Sequence, residues 1–145
     1  MGQIDERTGL EQLDPTECLL LLGRHNVGRL AVLDGGRPAV FPVSYRRDGD
    51  TIVFRSDEGT KLDAIGDDDA VAFEIDQIDP RSRTGWSVAV TGRATEVTDA
   101  EELEGLRKLH LEPWAPGAKA RYVRIVPESI GGRRIVRLPA DAGVR

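Results

Sequence analysis

The fold is decided by residues 28–55, which read GRLAVLDGGRPAVFPVSYRRDGDTIVFR. Apolar and polar residues alternate in three short runs of this stretch, as they do in strands with one buried face. The runs cover residues 28–33, 38–46 and 51–55. Asp34-Gly35-Gly36 and Asp48-Gly49-Asp50 separate them and are typical of tight turns. The stretch therefore predicts an antiparallel meander of three strands.

The middle run is the most informative of the three. Ala39, Phe41, Val43 and Tyr45 share one face of the predicted strand. Pro42 lies on the other face, and because proline has no N–H to donate to a neighbouring strand, it predicts a sheet edge or a bulge.

Further strands follow the meander. Val71, Phe73 and Ile75 alternate with polar or small residues, and residues 86–97 predict a long strand. Ala89, Gly92 and Ala94 are small enough for the crowded interior of a closed barrel. Residues 121–126 and 133–138 predict two last strands, separated by a turn at 127–132.

Capping patterns predict three short helices. Asp14-Pro15-Thr16-Glu17 starts a helix that buries Cys18 and ends near Gly23. Thr60 with Asp63 starts a second helix, and the capping box Thr98-Asp99-Ala100-Glu101 starts a third. The apolar stripe of this third helix consists of Leu103, Leu106, Leu109 and Leu111. Six or seven strands joined by short helices predict a barrel rather than an alternating α/β sheet.

The composition limits the class of protein. A chain of 145 residues with 39% hydrophobic residues predicts one domain, here assigned to residues 14–139, with an N-terminal arm at 1–13 and a tail at 140–145. A net charge of -5 argues against a nucleic-acid partner. No apolar run reaches the length of a membrane span, and the acidic start does not resemble a signal peptide, so we expect a cytoplasmic protein.

Familiar catalytic motifs are absent from the sequence. It contains no G-x-x-x-x-G-K-[ST], G-x-G-x-x-G after a strand, G-x-S-x-G or H-E-x-x-H motif. The single Cys18 and the widely separated His25 and His110 predict no metal site. We assign Cys18 to the core, and the two histidines to capping or surface positions.

The stretch Phe54-Arg55-Ser56-Asp57-Glu58-Gly59-Thr60-Lys61 is a candidate phosphate site. A strand would deliver Arg55 and Ser56 beside a helix start at Thr60, whose free N–H groups attract anions. Alternatively, Arg55 and Lys61 pair with the neighbouring acids. The arginines near the C-terminus also fit either an anionic ligand or interface, or ordinary salt bridges. These are Arg121, Arg124, Arg133, Arg134 and Arg137.

Several motifs in order resemble the pyridoxamine 5′-phosphate oxidase-like, flavin-binding split-barrel proteins, most closely their short actinobacterial members. The motifs are Gly28-Arg29-Leu30-Ala31, Phe41-Pro42-Val43-Ser44-Tyr45, Val53-Phe54-Arg55-Ser56 with Gly59-Thr60-Lys61-Leu62, and Gly85-Trp86-Ser87-Val88 with Gly92-Arg93-Ala94. The resemblance runs from about residue 15 to residue 137. It implies a six-stranded antiparallel split β-barrel and a homodimer with two FMN molecules between its subunits.

The resemblance also implies roles for nine residues. Arg55, Ser56, Thr60 and Lys61 match the family's phosphate-binding positions. Pro42, Val43 and Ser44 match the strand whose backbone lies along the isoalloxazine ring. Trp86 and Ser87 match a segment that reaches the flavin, commonly from the opposite subunit, although Trp86 also fits ordinary barrel or interface packing.

The chain departs from the classical oxidase of that family. The oxidase holds its vitamer phosphate with an Arg-x-His element near its end, whereas no histidine follows His110 here. We therefore expect an FMN-dependent oxidoreductase of another substrate class, with the reactive chemistry carried by the flavin. The alternatives are an F420-dependent reductase, whose anionic cofactor tail the C-terminal arginines would hold, and a non-catalytic flavin- or haem-binding protein.

Overall fold

The computed structural model describes residues 4–5, 8–56, 65, 69–112 and 121–136. Eight strands and two helices follow each other along this part of the chain. They are β1 Ile4–Asp5, β2 Leu10–Leu13, α1 Pro15–Arg24, β3 Val27–Asp34, β4 Arg37–Asp48, β5 Thr51–Ser56, β6 Asp69–Asp79, β7 Thr84–Val97, α2 Ala100–Arg107 and β8 Arg121–Ile135.

Six of these strands close into a ring. Each strand pairs with the next in the order β5, β4, β3, β6, β7 and β8, and β8 then pairs with β5. All of the pairings are antiparallel. The meander predicted for residues 28–55 is confirmed as β3, β4 and β5. The described residues therefore form the six-stranded antiparallel split barrel that the sequence predicts.

The barrel interior is filled by alternate residues of each strand. Tyr45, Phe54 and Phe73 are its largest fully buried side chains, and the rings of Tyr45 and Phe73 meet edge to face at 4.9 Å. Gly92 and Ala94 face inward as predicted, whereas Ala89 is exposed. The prediction for Ala89 was wrong because side chains alternate between faces, so Val88 and Val90 take the inward positions.

The barrel is split along β4. This strand pairs with β3 over Arg37–Ser44 and with β5 over Tyr45–Asp48. No strand in the described part of the chain pairs with the other side of the segment 37–44. Pro42 lies within this segment, so the predicted sheet edge at Pro42 is confirmed.

Helix α1 packs against β4 and β8 beside the split. Its N-cap is Asp14 as predicted, whose side chain accepts from the Glu17 N–H at 2.9 Å. The Tyr45 hydroxyl donates to the Leu22 carbonyl at 2.7 Å, and Arg47 Nη1 donates to the Leu19 carbonyl at 2.6 Å. Cys18, on the inner face of this helix, is fully buried, which confirms its core position. Burial and the nearby acids Asp14 and Glu17 raise the pKa of its thiol.

The N-terminal segment contains strands that the sequence did not predict. β1 pairs with β2, and β2 pairs with the end of β8. Arg134 of β8 donates to Glu11 at 3.1 Å and to Glu17 at 2.9 Å, which links β2, α1 and β8. Four residues are too few to show a strand period, so the sequence predicts only an N-terminal arm at residues 1–13 and not the strand Leu10–Leu13.

The last two predicted strands are one strand, β8. Thr91 and Gly92 of β7 face Ser129 and Pro127, so Glu128 is the extra residue of a β-bulge. Gly132 does not make a turn but allows close packing. A Cβ there would lie 2.9 Å from Cys18 Sγ and 3.0 Å from Leu13 Cδ1. The predicted break was wrong because Pro127 lies at the bulge and Gly132 allows close packing, so neither residue begins a loop.

Helix α2 lies on the outer surface of the barrel. Its N-cap is Asp99 rather than the predicted Thr98, because Asp99 accepts from the Glu102 N–H at 2.9 Å. The helix covers an outer cluster of buried residues: Val53, Val97, Leu106, Leu111 and Tyr122. Leu103 and Leu109 pack against this cluster. The helix predicted at Thr60 lies outside the described residues.

Candidate functional site

Seven of the nine predicted site residues lie on three strands of the barrel. Three residues, Pro42, Val43 and Ser44, belong to β4. The last two residues of β5 are Arg55 and Ser56, and near the start of β7 lie Trp86 and Ser87. Thr60 and Lys61 lie outside the described residues. Their predicted contribution to a phosphate site therefore stays a prediction.

Ser44 and Arg55 lie on the outside of the barrel, where the pairing of β4 with β5 ends. The β4–β5 ladder ends at the pair Tyr45 and Phe54, both fully buried, and the next residues of the two strands are Ser44 and Arg55. Because side chains alternate, Ser44 and Arg55 point to the outer face. Paired strands lie about 4.8 Å apart, so both side chains lie near the point where β4 and β5 separate.

The Arg55 side chain is held in one orientation. Its Nη1 donates to the Leu111 carbonyl at 3.1 Å, and its guanidinium carbon lies 5.2 Å from the centre of the Tyr122 ring. Arg55 is half-buried, whereas Ser56 is 2% exposed and points to the opposite face of β5. The orientation of Arg55 is thus fixed by a carbonyl and an aromatic ring, and the side chain keeps part of its surface in solvent.

The unpaired side of β4 begins next to Arg55. Along 37–44, the backbone groups that point away from β3 meet no other strand of the described chain. Val43 packs against the barrel core, while Pro42 is exposed on the outer face. A strand edge offers N–H donors and C=O acceptors in a row, which suits a flat ligand with polar atoms on its rim. Arg55 adds a cation at the end of this row.

Trp86 and Ser87 lie on a different part of the barrel. Trp86 packs against the core, and its ring centre lies 4.9 Å from that of His25, the C-cap of α1. Trp86 also lines an open cavity of about 530 Å³ at the β6–β7 hairpin, together with Ile78, Gly85 and Ile135. Ser87 pairs with Asp76 of β6 and Arg133 of β8.

A second cavity adjoins Ser44, and sequence reasoning did not predict it. It measures about 290 Å³ and is lined by Asn26, Ser44, Tyr45, Arg46, His110, Leu111 and Glu112. Among the other residues of this cavity, only Arg46 could have been inferred from the sequence. It follows the predicted site residue Ser44 by two positions and therefore lies on the same outer face of the strand. Asn26 and the residues after α2 come together only in the folded chain.

Most C-terminal arginines that the structure describes form salt bridges. Arg121 contacts Glu96 at 3.1 Å, Arg124 contacts Asp48 and Glu102 at 2.9 Å each, and Arg134 contacts Glu11 and Glu17. Arg133 is exposed, and Arg137 lies outside the described residues. These pairs favour the salt-bridge interpretation over a basic groove for a long anionic tail.

A further ion cluster lies on the outer face of β3 and β6. Arg29 Nη2 lies 2.7 Å from Glu74 Oε1 and 3.0 Å from Asp76 Oδ2. Burial and a hydrogen bond with Asp76 raise the pKa of Glu74, and Arg29 opposes this rise. The described residues contain no group of three or more His, Cys, Asp or Glu side chains arranged to hold a metal ion. No helix among them is long and apolar enough to cross a membrane.

The family model for pyridoxamine 5′-phosphate oxidase matches residues 14–134. This protein therefore belongs to the pyridoxamine 5′-phosphate oxidase family, and its split barrel is the fold that the resemblance implied. Within the family, the chain is 38% identical over 130 residues to an uncharacterized protein of Mycobacterium tuberculosis, covering 86% of this chain and 85% of that protein.

Two solved structures extend the comparison. A FAD-binding protein from Mycobacterium smegmatis is 36% identical, with a TM-score of 0.76, and the match covers 88% of this chain and 99% of that one. A FAD-binding protein from Mesorhizobium loti is 28% identical, with a TM-score of 0.69, and the match covers 86% of this chain and 97% of that one.

Proposed function

We propose that this protein binds a flavin at the β4 edge and acts as a flavin-dependent oxidoreductase. The observation that carries the proposal is that Arg55 follows the last residue pair of β4 and β5, at the point where the unpaired segment 37–44 of β4 begins. Arg55 would hold the flavin phosphate, and the backbone of Pro42, Val43 and Ser44 would lie along the isoalloxazine ring. The FAD-binding relatives, which share this fold over nearly the whole chain, support the same ligand class.

The residues present fit such a cofactor. A planar guanidinium forms paired hydrogen bonds with a phosphate, and the Leu111 and Tyr122 contacts keep Arg55 in place before the ligand arrives. A bound flavin supplies hydride and electron transfer. The chain itself would supply phosphate binding, ring orientation through the β4 edge, and exclusion of water.

A homodimer is part of the proposal. Leu33 and Val40 on the β3–β4 hairpin are 62% and 64% exposed, and both lie on the outer face of the barrel. Leu33 shares an apolar surface with Ala31, Pro38 and Ala72, and Val40 is the cross-strand neighbour of Ala31, so together they form an apolar patch. A second copy of the chain would bury this patch and would bring Trp86 and Ser87 of the partner towards the flavin.

Flavin binding is tested by adding FMN or FAD to the purified protein and measuring flavin fluorescence and absorbance. Arg55→Ala should weaken binding of both flavins by about tenfold or more, since a charge-assisted pair with phosphate is lost. Arg107→Ala, at an exposed position of α2, is the matched control and should leave both affinities unchanged. A wild-type protein that takes up neither flavin contradicts the proposal, and a Soret band would point to haem.

Catalysis and dimerisation need separate measurements. The oxidised flavin of the loaded protein should be reduced by NADPH or by reduced F420 in stopped-flow assays, whereas inertness towards both donors would favour a binding protein. Sedimentation should give a dimer for the wild type and a monomer for Leu33→Asp/Val40→Asp. Leu20→Asp, on the exposed side of α1, is the control and should stay dimeric.

A further inference from the structure

A cavity of about 290 Å³ lies next to Ser44, at one end of the β4 segment assigned to the flavin ring. Pockets for drug-sized ligands measure roughly 300 to 1,000 Å³, so this cavity suits a fragment about the size of a nucleoside. Its lining is mainly polar. Three chain segments meet there: Asn26 before β3, Ser44–Arg46 of β4, and the loop after α2.

The loop after α2 forms one wall of the cavity and is fixed in an unusual conformation. His110 has a φ of 53°, in the left-handed region that non-glycine residues rarely adopt. Such a conformation is strained, and strained backbone clusters at ligand-binding sites. Leu111 is 4% exposed within the outer cluster. Because the Leu111 side chain is anchored there, His110 and Glu112 are held at the cavity.

The cavity is connected to the proposed flavin site through Ser44 and through the loop after α2. Ser44 lines the cavity and also belongs to the unpaired segment of β4. The Leu111 carbonyl accepts from Arg55, so the same loop that forms the cavity wall also orients the phosphate-binding side chain. A ligand group joined to the flavin phosphate would therefore enter this cavity first.

The side chains around the cavity match the chemistry of an adenylate. Arg46 is an exposed cation that a second phosphate would neutralise. The Glu112 carboxylate accepts hydrogen bonds, as ribose hydroxyls require, and the His110 ring offers a flat surface for a base. The Asn26 carbonyl accepts from the Tyr45 N–H at 2.9 Å, which fixes the backbone that carries the Asn26 amide.

We propose that this cavity binds the adenylate half of FAD, so that the protein selects FAD over FMN. This inference rests on the proposed flavin site at Arg55. It assigns to Asn26, Arg46, His110 and Glu112 a role in choosing the cofactor. FMN ends at its single phosphate and would leave the cavity empty.

The test is a comparison of dissociation constants for FAD, FMN and ADP by isothermal titration calorimetry. Wild-type protein should bind FAD at least about tenfold more tightly than FMN, and ADP should compete with FAD. Arg46→Ala and His110→Gly should each reduce this preference severalfold while leaving the FMN affinity unchanged. Lys108→Ala, a nearby cation that does not line the cavity, is the control and should keep the preference.

Three results would overturn the inference. They are equal wild-type affinities for FAD and FMN, failure of ADP to compete with FAD, and variants that lose FMN and FAD binding in parallel. In each of these cases the flavin site itself stands. Wild-type protein that binds neither flavin instead contradicts the proposed function, and the adenylate site with it. Arg46→Ala changes an exposed side chain, and thermal melting of each variant checks that it folds.

Discussion

The hydroxyl of Tyr45 donates a 2.7 Å hydrogen bond to the carbonyl oxygen of Leu22, and this bond joins the barrel interior to the last turn of α1. Carbonyls in the last turn of a helix have no partner within the helix. Tyr45 is fully buried, and burial raises the pKa of its hydroxyl. The bond therefore holds α1 beside the split in β4.

Tyr45→Phe should lower the free energy of unfolding by about 1 to 3 kcal/mol, because the buried Leu22 carbonyl loses its partner. Urea denaturation measures the loss. Tyr122→Phe is the control, since Tyr122 is also buried and its hydroxyl bonds to no described residue. An equal loss in both variants would contradict a specific role for the bond.

Because of the same hydroxyl, we expect the stability of the folded protein to fall at alkaline pH. The pKa of Tyr45 is higher in the folded than in the unfolded state. The contribution of its protonated hydroxyl to the free energy of unfolding is therefore complete below about pH 10 and is lost as the pH rises above that value. Wild-type stability should fall between about pH 10 and pH 11.5, and the fall should be shallower in Tyr45→Phe. Chemical denaturation at several pH values checks this slope. Identical slopes would argue against it.

Arg29→Ala should destabilise the protein by about 1 kcal/mol, a value kept small because all three side chains of the cluster are partly exposed. The reason is that Glu74 and Asp76 then repel each other without a cation. Since Arg29 lowers the pKa of Glu74, its removal raises that pKa further, and the loss should shrink as the pH falls from about 7 to about 5. Arg93→Ala, next to exposed Glu128, is the control.

Gly28→Ala should destabilise the barrel by about 1 to 3 kcal/mol through overpacking. A Cβ at Gly28 would collide with the ring of Phe73 and lie 3.0 Å from the Glu74 carbonyl. Gly105→Ala in α2 is the contrasting control, because nothing lies within 4 Å of a Cβ there. That variant should gain up to about 1 kcal/mol from helix propensity. Thermal unfolding of both variants measures these changes in stability. A Gly28→Ala variant as stable as the wild type would contradict the packing argument.

Arg134→Ala should cost about 1 to 3 kcal/mol, because it leaves the buried Glu11 carboxylate and Glu17 without their cation. Arg133→Ala removes an exposed neighbouring cation and should change stability by less than about 0.5 kcal/mol. Urea unfolding of the two variants should therefore differ clearly. Equal midpoints would mean that the link between β2, α1 and β8 contributes nothing.

The local parts of the fold could be predicted from the sequence. The turns at Gly35 and Gly49 and the alternation between them specify β3, β4 and β5, because neighbouring residues decide such hairpins. The continuity of β8 could not be predicted. Gly131 and Gly132 resemble a turn, and only the packing of Cys18 and Leu13 against Gly132 explains why they lie in a strand.

The candidate site also has one part that could be predicted from the sequence and one part that could not. Ser44 and Arg55 both lie just beyond the last pair of the predicted hairpin, so their placement follows from residues 28–55. The cavity at His110 depends on where α2 ends and on Leu111 entering the outer cluster. No periodicity in the sequence carries that information, because it arises from contacts between distant segments.

The pairing of β8 with both β5 and β7 also constrains how the chain folds during synthesis. When residues up to Val97 have left the ribosome, β5, β4, β3, β6 and β7 have all emerged, but only an open sheet is possible. Both outer strands of that sheet, β5 and β7, then expose unpaired edges. Pairings between distant segments form slowly, and open edges invite association between chains. The interval before β8 emerges is thus when the nascent chain is most exposed to aggregation and most dependent on chaperones.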